Sequence, residues 1–247
     1  MPEDINFNSY YILDEATIPN YLQSINLIAN FDSNCQLQVQ SIGDGNLNNV
    51  FRVTDGKYSF IIKQALPYLK LAGPEYSLSF ERIVFEIEYY KQTIKITQNG
   101  LPTIYYADKE IMKLVVMQDL NNHVVMRSGL IDNLDFPRFN QQIGEFLAKS
   151  VFYTSRLYLS QEDYEKLKLK FNNNFLCKLT EEFIFTFPYF THPTNNQLAF
   201  KTNFSEQFIY NAWLLRNKFN TANECLSHGD LHTGSIMLNY EDRKSVV

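Results

Sequence analysis

Between residues 36 and 64 apolar and polar positions alternate with a period of two, the pattern of half-buried strands. Leu37 and Val39 alternate with Gln36, Gln38 and Gln40. Val50-Phe51-Arg52-Val53 and Tyr58-Ser59-Phe60-Ile61-Ile62-Lys63 continue the theme, with the hairpin signal Asp55-Gly56 between them. The loop from Gly43 to Asn49 joins the first two runs, so 36–64 reads as a three-stranded antiparallel unit. Elsewhere the apolar period lengthens to that of a helix. Residues 9–31 carry Ile18, Leu22, Ile25 and Ile28 at helical spacing, and 79–95 carry Ile83, Ile87, Tyr90 and Ile94 on one stripe. Residues 102–106 and 112–117 read as strands with a turn near Asp108. Helical patterns then recur at 138–156, 161–171, 176–185 and 205–219. The fold class expected is α+β, strand-rich up to Met117 and helix-rich beyond it.

Composition narrows the function classes. Hydrophobic residues make up 45% and charged residues 20%, which suits a packed globular chain of 247 residues. The net charge is −5 and no basic cluster occurs, which argues against nucleic acid and anionic membrane as partners. No apolar run approaches the ~20 residues of a membrane helix. The acidic N-terminus lacks the apolar core of a signal peptide, and Cys35, Cys177 and Cys225 lie far apart without a CxxC pair. Both features fit reduced thiols in the cytoplasm.

The residues that carry chemistry occur in a set order. The loop with Gly43 and Gly45 joins strand to strand. That geometry suits a flap over nucleotide phosphates and excludes the two glycine motifs that lead into a helix. A plain hairpin loop would look similar. Lys63 ends an apolar strand run, where its ammonium can meet α- and β-phosphates. On the following helix Glu86 is placed to pair with it; Glu81 and Glu88 compete for that role, and Arg82 is an i,i+4 neighbour of Glu86. Met117-Gln118-Asp119-Leu120 leaves a strand and offers backbone groups to an adenine ring. Last comes His228-Gly229-Asp230-Leu231-His232-Thr233-Gly234-Ser235. It sets one carboxylate, Asp230, in a tight loop, as a phosphoryl acceptor hydroxyl requires, although a loop Asp also commonly bonds its own backbone. His228 and His232 stand four apart, but Gly229 and Gly234 break a helix there, so a zinc pair is not expected.

GDGNLNNVFRV, IIKQALPY, the Glu81–Glu86 segment, PTIYYAD, VMQDL, IGEFLAKSVFYTS and HGDLHTGSIM together resemble the S-methyl-5-thioribose kinase family. That family lies in the choline kinase and aminoglycoside phosphotransferase-like branch of the two-lobed protein-kinase-like fold. The resemblance implies transfer of the ATP γ-phosphate to the C1 hydroxyl of 5-methylthioribose in methionine salvage, with ATP and Mg2+ and a tendency to homodimers. It makes Asp230 the sugar-binding catalytic base, Lys63 and Asn48 ATP contacts, and Gln118, Asp119 and Leu120 the adenine hinge. It also implies a nucleotide-binding lobe over 1–117, a hinge at 118–121 and a helical lobe over 122–247. Gln118 stands where the family commonly has Glu. HGD replaces the HRD of protein kinases, and Ser235 stands where they place a metal-binding Asn. The family's metal-holding Asp-Pro-Glu motif is not found; Lys244-Ser245-Val246-Val247 reads as the start of the strand that would lead to it, and Asp242 falls in a polar turn. The metal carboxylates are therefore expected beyond Val247, in a chain truncated after the catalytic loop. Two alternatives stand beside this reading: a fragment that binds only a nucleotide or a partner, and a related choline- or aminoglycoside-type kinase.

Overall fold

In this computed structural model residues 7–32, 35–43, 45–71, 73–189, 204–239 and 245–246 are described; Asp44, Asp242, Lys244 and Val247 lie outside them. The first helix, α1 (Ile18–Ser24), is much shorter than the expected 9–31. Pro19 suits a first helical turn. Upstream, the Asp14 carboxylate accepts the N–H groups of Ala16 and Thr17 at 3.1 and 2.8 Å, which fixes a turn there in place of a helix. Asn26, at φ +58°, ends the helical backbone before a short 3-10 turn at Leu27–Asn30.

The alternating segments form strands as expected. β1 (Gln38–Ser41), β2 (Asn48–Thr54) and β3 (Ser59–Ala65) pair antiparallel. A two-stranded ribbon, β4 (Tyr68–Leu69) with β5 (Gly73–Ser77), leads to α2 (Glu81–Thr97). β6 (Ile104–Asp108) and β7 (Leu114–Gln118) complete a five-stranded antiparallel sheet in the order β1-β2-β3-β7-β6. Strand parity then decides what each face touches. Phe51, Val53, Phe60 and Ile62 pack with Leu13, Ile18, Tyr21 and Leu22 on one face. Ala65, Val115 and Met117 pack with Ile83 and Ile87 of α2 on the other, with Ile61 beside them. Lys63, between Ile61 and Ala65 on β3, shares this α2 face.

A second, three-stranded sheet is built from distant segments. β8 (His123–Val125) pairs with β9 (Met237–Asn239), which pairs with β10 (Ser245–Val246). α3 (Met126–Ile131) follows β8 directly, and α4 (Phe139–Phe152) follows α3. Architecture is thus α+β, as the sequence predicts. By internal packing the chain divides into Met1–Ser150 with Ser227–Val247, and Val151–Leu226, so this partition cuts the chain elsewhere than at Met117.

The 151–226 unit is helical. α5 (Gln161–Lys170) starts at Ser160, whose Oγ accepts the Asp163 N–H at 3.1 Å. α6 (Asn174–Thr180) passes into a π-helical turn at Glu181–Thr186, and α7 (Glu206–Thr221) comes after it. The buried Glu181 carboxylate meets Arg216 and accepts the Thr186 hydroxyl at 2.6 Å. Cys35, Cys177 and Cys225 are free thiols. Among the described residues no helix is long and apolar enough to cross a membrane.

Gln64 is fully buried on the α1 face and its amide is fully occupied. Its Oε1 accepts the Leu13 N–H at 2.9 Å, while Nε2 donates to Tyr11 O at 2.8 Å and Met112 O at 3.1 Å. It thereby ties the N-terminal segment to the sheet. Gln64→Leu keeps the volume but orphans those backbone groups; the expected loss is about 1–3 kcal/mol, read as a lower denaturation midpoint at unchanged slope.

Candidate active site

Parity and helix pitch bring the charged groups together. Lys63 points from β3 toward α2, and its Nζ donates to Glu86 Oε1 at 2.6 Å. The other two acids are engaged elsewhere or exposed: Glu88 takes Lys109 at 3.0 Å and Lys91 at 3.7 Å, and Glu81 lies exposed in the first turn of α2. Arg82 does not pair with Glu86 in a hydrogen bond. It turns the opposite way, into main-chain carbonyls beneath the glycine loop.

The loop between β1 and β2 is pinned at its second half. Asn46 O accepts the Lys70 N–H at 3.0 Å and Leu47 O accepts the Leu66 N–H at 3.2 Å. Gly43 sits at φ +80°, a backbone state open to glycine, and a Cβ at Gly43 or Gly45 would meet nothing within 4 Å. The first half of the loop therefore has open space on its side-chain side. Asn48, at the start of β2, lies opposite Ala65, and its Oδ1 is 3.4 Å from Arg82 Nη2.

The linker residues have structural partners. Asp119 is nearly buried, and both its carboxylate oxygens accept from Arg52, at 2.8 and 3.0 Å. Gln118 donates its N–H to Thr103 O at 2.8 Å and accepts the Thr103 N–H on Oε1 at 3.2 Å. Leu120 O accepts the His123 N–H at 2.9 Å. The side chains of Gln118 and Asp119 thus hold the linker in place.

The HGDLHTGS loop meets α2 through one ring contact. The His228 ring packs edge-on against Tyr89, with centroids 5.8 Å apart. Leu231 packs against the buried pair Leu101 and Phe146, which Tyr90 of α2 also borders. Tyr89 follows Glu86 by three residues, so the side of α2 that holds Lys63 also meets this loop. Sequence reasoning missed this: Tyr89 and His228 carry no pattern that links them across the chain, and only Tyr90 was legible as an apolar stripe position.

Within the loop the main chain is internally bonded and the carboxylate is not. The Asp230 N–H donates to His228 Nδ1 at 3.2 Å, and Asp230 O accepts the Ser235 hydroxyl at 2.9 Å. His232 Nδ1 accepts the Gly234 N–H at 2.9 Å and lies 3.4 Å from Arg127 Nη2, which is a donor only. The neutral His232 ring therefore carries its proton on Nε2, which faces Asp230 Oδ2 at 3.6 Å. That is too long for a hydrogen bond. Among the described residues the Asp230 carboxylate makes no hydrogen bond to its own loop, and its side chain is 83% exposed. Asp55 shows the contrast: its Oδ1 accepts the N–H groups of Lys57 and Tyr58 at 2.8 and 2.7 Å, as a turn aspartate does. Asp230 is free to meet a ligand.

Burial pushes the His228 imidazole below its ordinary value of 6.5, more strongly than nearby Asp230 and Glu86 raise it. The ring is thus held neutral, as it must be for Nδ1 to accept from Asp230. Among the described residues no group of three or more His, Cys, Asp or Glu side chains lies together.

A strand lysine paired with a helix glutamate, a glycine-containing loop between two strands and an exposed loop carboxylate are parts that a kinase-type nucleotide site uses on an α+β scaffold. The chain is similar over most of its length to curated proteins named methylthioribose kinase. It is 39% identical to the methylthioribose kinase of Geobacillus sp. (strain WCH70) over 87% of this chain and 56% of the relative. It is 38% identical to that of Geobacillus kaustophilus (strain HTA426) over the same shares. With that of Bacillus cereus (strain AH187) the identity is 37% over 96% of this chain and 61% of the relative. The chain therefore spans somewhat over half the length of these relatives. No protein-family model matches. The resemblance read from the motifs is borne out by these relatives.

Two outcomes test the loop geometry. A Cβ at Gly234 would come within 2.7 Å of both Arg127 Nη2 and His232 Cε1. Both are movable side-chain ends, so Gly234→Ala should fold normally yet displace His232, lowering any turnover about ten- to a hundredfold in steady-state assays. His228 should also make stability pH-dependent. Its pKa is lower folded than unfolded, so the unfolded chain binds more protons just below pH 6.5, and stability falls as pH drops from 6.5 toward the folded pKa. Denaturation midpoints across that window should show this slope, and His228→Asn should flatten it.

Proposed function

We propose that this chain carries the nucleotide-holding and hydroxyl-activating residues of a methylthioribose kinase, which moves the γ-phosphoryl group of ATP to the C1 hydroxyl of 5-methylthioribose. The observation that supports this most is the shared side of α2: Glu86 fixes Lys63, and Tyr89 packs on His228 in the loop of Asp230. The homology to proteins named methylthioribose kinase supplies the acceptor.

In this reading residues 1–117 are the nucleotide-binding lobe, 118–121 the hinge and 122–247 part of a helical lobe. The loop with Gly43, Gly45 and Asn48 lies over the phosphates, and Lys63 donates to α- and β-phosphate oxygens while Glu86 keeps its direction. Because the N–H of Gln118 is spent on Thr103, the purine is read by other main-chain groups from Gln118 to Leu120. The Arg52–Asp119 pair braces that stretch. Asp230 accepts the C1 hydroxyl proton as the oxygen bonds to the γ-phosphorus, and the bond to the departing ADP oxygen breaks. Mg2+, implied with ATP by kinase chemistry, would neutralise charge on the phosphates. The roles assigned to the described residues involve nucleotide and acceptor alone.

The purified chain should bind ATP and, with Mg2+ and methylthioribose, release ADP and the 1-phosphate. Asp230→Asn should cut the rate by about 100- to 10,000-fold while leaving ATP affinity within error. Phosphorylation of choline or an aminoglycoside in preference to methylthioribose would overturn the acceptor. Nucleotide binding without turnover would favour the non-catalytic reading.

A further inference from the structure

Arg82 is a buried cation with an unusual set of partners. It is 6% exposed, on the first turn of α2. Its Nη1 donates to Ser79 O at 2.7 Å, and its Nη2 donates to Leu66 O at 2.7 Å and to Leu47 O, with Asn48 Oδ1 at 3.4 Å. These acceptors come from the lead-in to α2, the exit of β3 and the second half of the glycine loop. Tyr10 closes the same corner, donating its hydroxyl to Ala65 O at 2.7 Å and packing on Phe80 with centroids 4.6 Å apart.

Among the described residues no carboxylate forms an ion pair with this guanidinium. Carbonyl dipoles take hydrogens of Nη1 and Nη2, while the buried Nε has no hydrogen-bond partner among the described residues, and such a group is retained against its desolvation cost. Burial depresses its pKa from the ordinary arginine value, with Tyr10 and Glu86 acting the other way. A guanidinium is the side chain whose fixed fork can bind several carbonyls at once; a lysine ammonium on a flexible stem cannot hold the same three elements in register.

We propose that Arg82 is a positioning residue of the nucleotide site, clamping the glycine loop and the exit of β3 to α2 so that the loop, Lys63 and Glu86 keep one geometry and favour the polyphosphate over the nucleoside. This rests on the nucleotide-site reading above. Lys63 lies three residues before Leu66, and Glu86 one turn after Arg82, so the clamp sits at the point where both arms of the ion pair begin.

The test compares ATP and adenosine binding to the wild-type chain, Arg82→Met and Arg82→Lys by calorimetry, with circular dichroism as the check on folding. Arg82→Met should weaken ATP about tenfold or more while adenosine changes less than about twofold. Arg82→Lys keeps the charge but not the fork, and should lose most of the same ATP affinity; it carries the test if Arg82→Met does not fold. Folded variants that bind ATP like the wild type, or that lose ATP and adenosine equally, overturn the clamp. A wild-type chain that binds neither ligand sinks the nucleotide-site reading itself, and the clamp with it.

Discussion

Docking of α2 on the five-stranded sheet is the contact on which the rest of the site depends. Ile83 and Ile87, both fully buried, press the helix against Ala65, Val115 and Met117. Each fully buried side chain of this kind is worth about 1.5–3 kcal/mol of burial, so the helix has a fixed rotation as well as a fixed position. Once that rotation is set, helical pitch assigns a partner to each polar position of α2. Arg82 bonds the glycine loop, Glu86 reaches Lys63, and Tyr89 meets the Asp230 loop. Polar interactions in the site are individually modest. A partly exposed ion pair such as Lys63–Glu86 adds little stability by itself. Its value is directional, because the apolar contacts beneath it have already removed the freedom that a surface pair would have to give up.

The Asp230 loop obeys a complementary logic. Its main chain is tied internally through His228, His232 and Ser235, whereas its carboxylate is left uncommitted. Both histidines act as acceptors at Nδ1, which requires neutral rings. Burial against Tyr89 favours that state for His228. Gly234 lets the chain pass close to Arg127 and His232, a space that a single methyl group would invade. Rigid surroundings around a free carboxylate are what a reaction needs when most of its acceleration comes from placing a hydroxyl.

Much of this was legible in sequence because it is periodic and local. Alternation at 36–64 gave β1 to β3, and the stripe Ile83, Ile87, Tyr90 and Ile94 gave α2. Parity put Lys63 on the same strand face as Ile61 and Ala65, the face that α2 covers. The 9–31 helix was over-read because Asp14 caps a turn and Asn26 takes a left-handed conformation, two local events that apolar spacing does not report. The sheet of β8, β9 and β10 was not foreseen, since its pairing of Val124 with Leu238 spans over a hundred residues and such short strands carry no period. Arg82 was read as a neighbour of Glu86, although its donors go to carbonyls from three other segments.

By itself the sequence determined the α+β class, the order of glycine loop, strand lysine, helix glutamate and loop aspartate, and the relatives this chain resembles. Those properties reside in spacing and residue type, which are written along the chain. Tertiary structure alone decided which glutamate holds Lys63, that Asp119 answers to Arg52, and that the Asp230 loop packs on Tyr89. Those choices depend on the rotation of one helix against one sheet. That rotation is fixed by side-chain packing between segments far apart in sequence, and no local pattern encodes it.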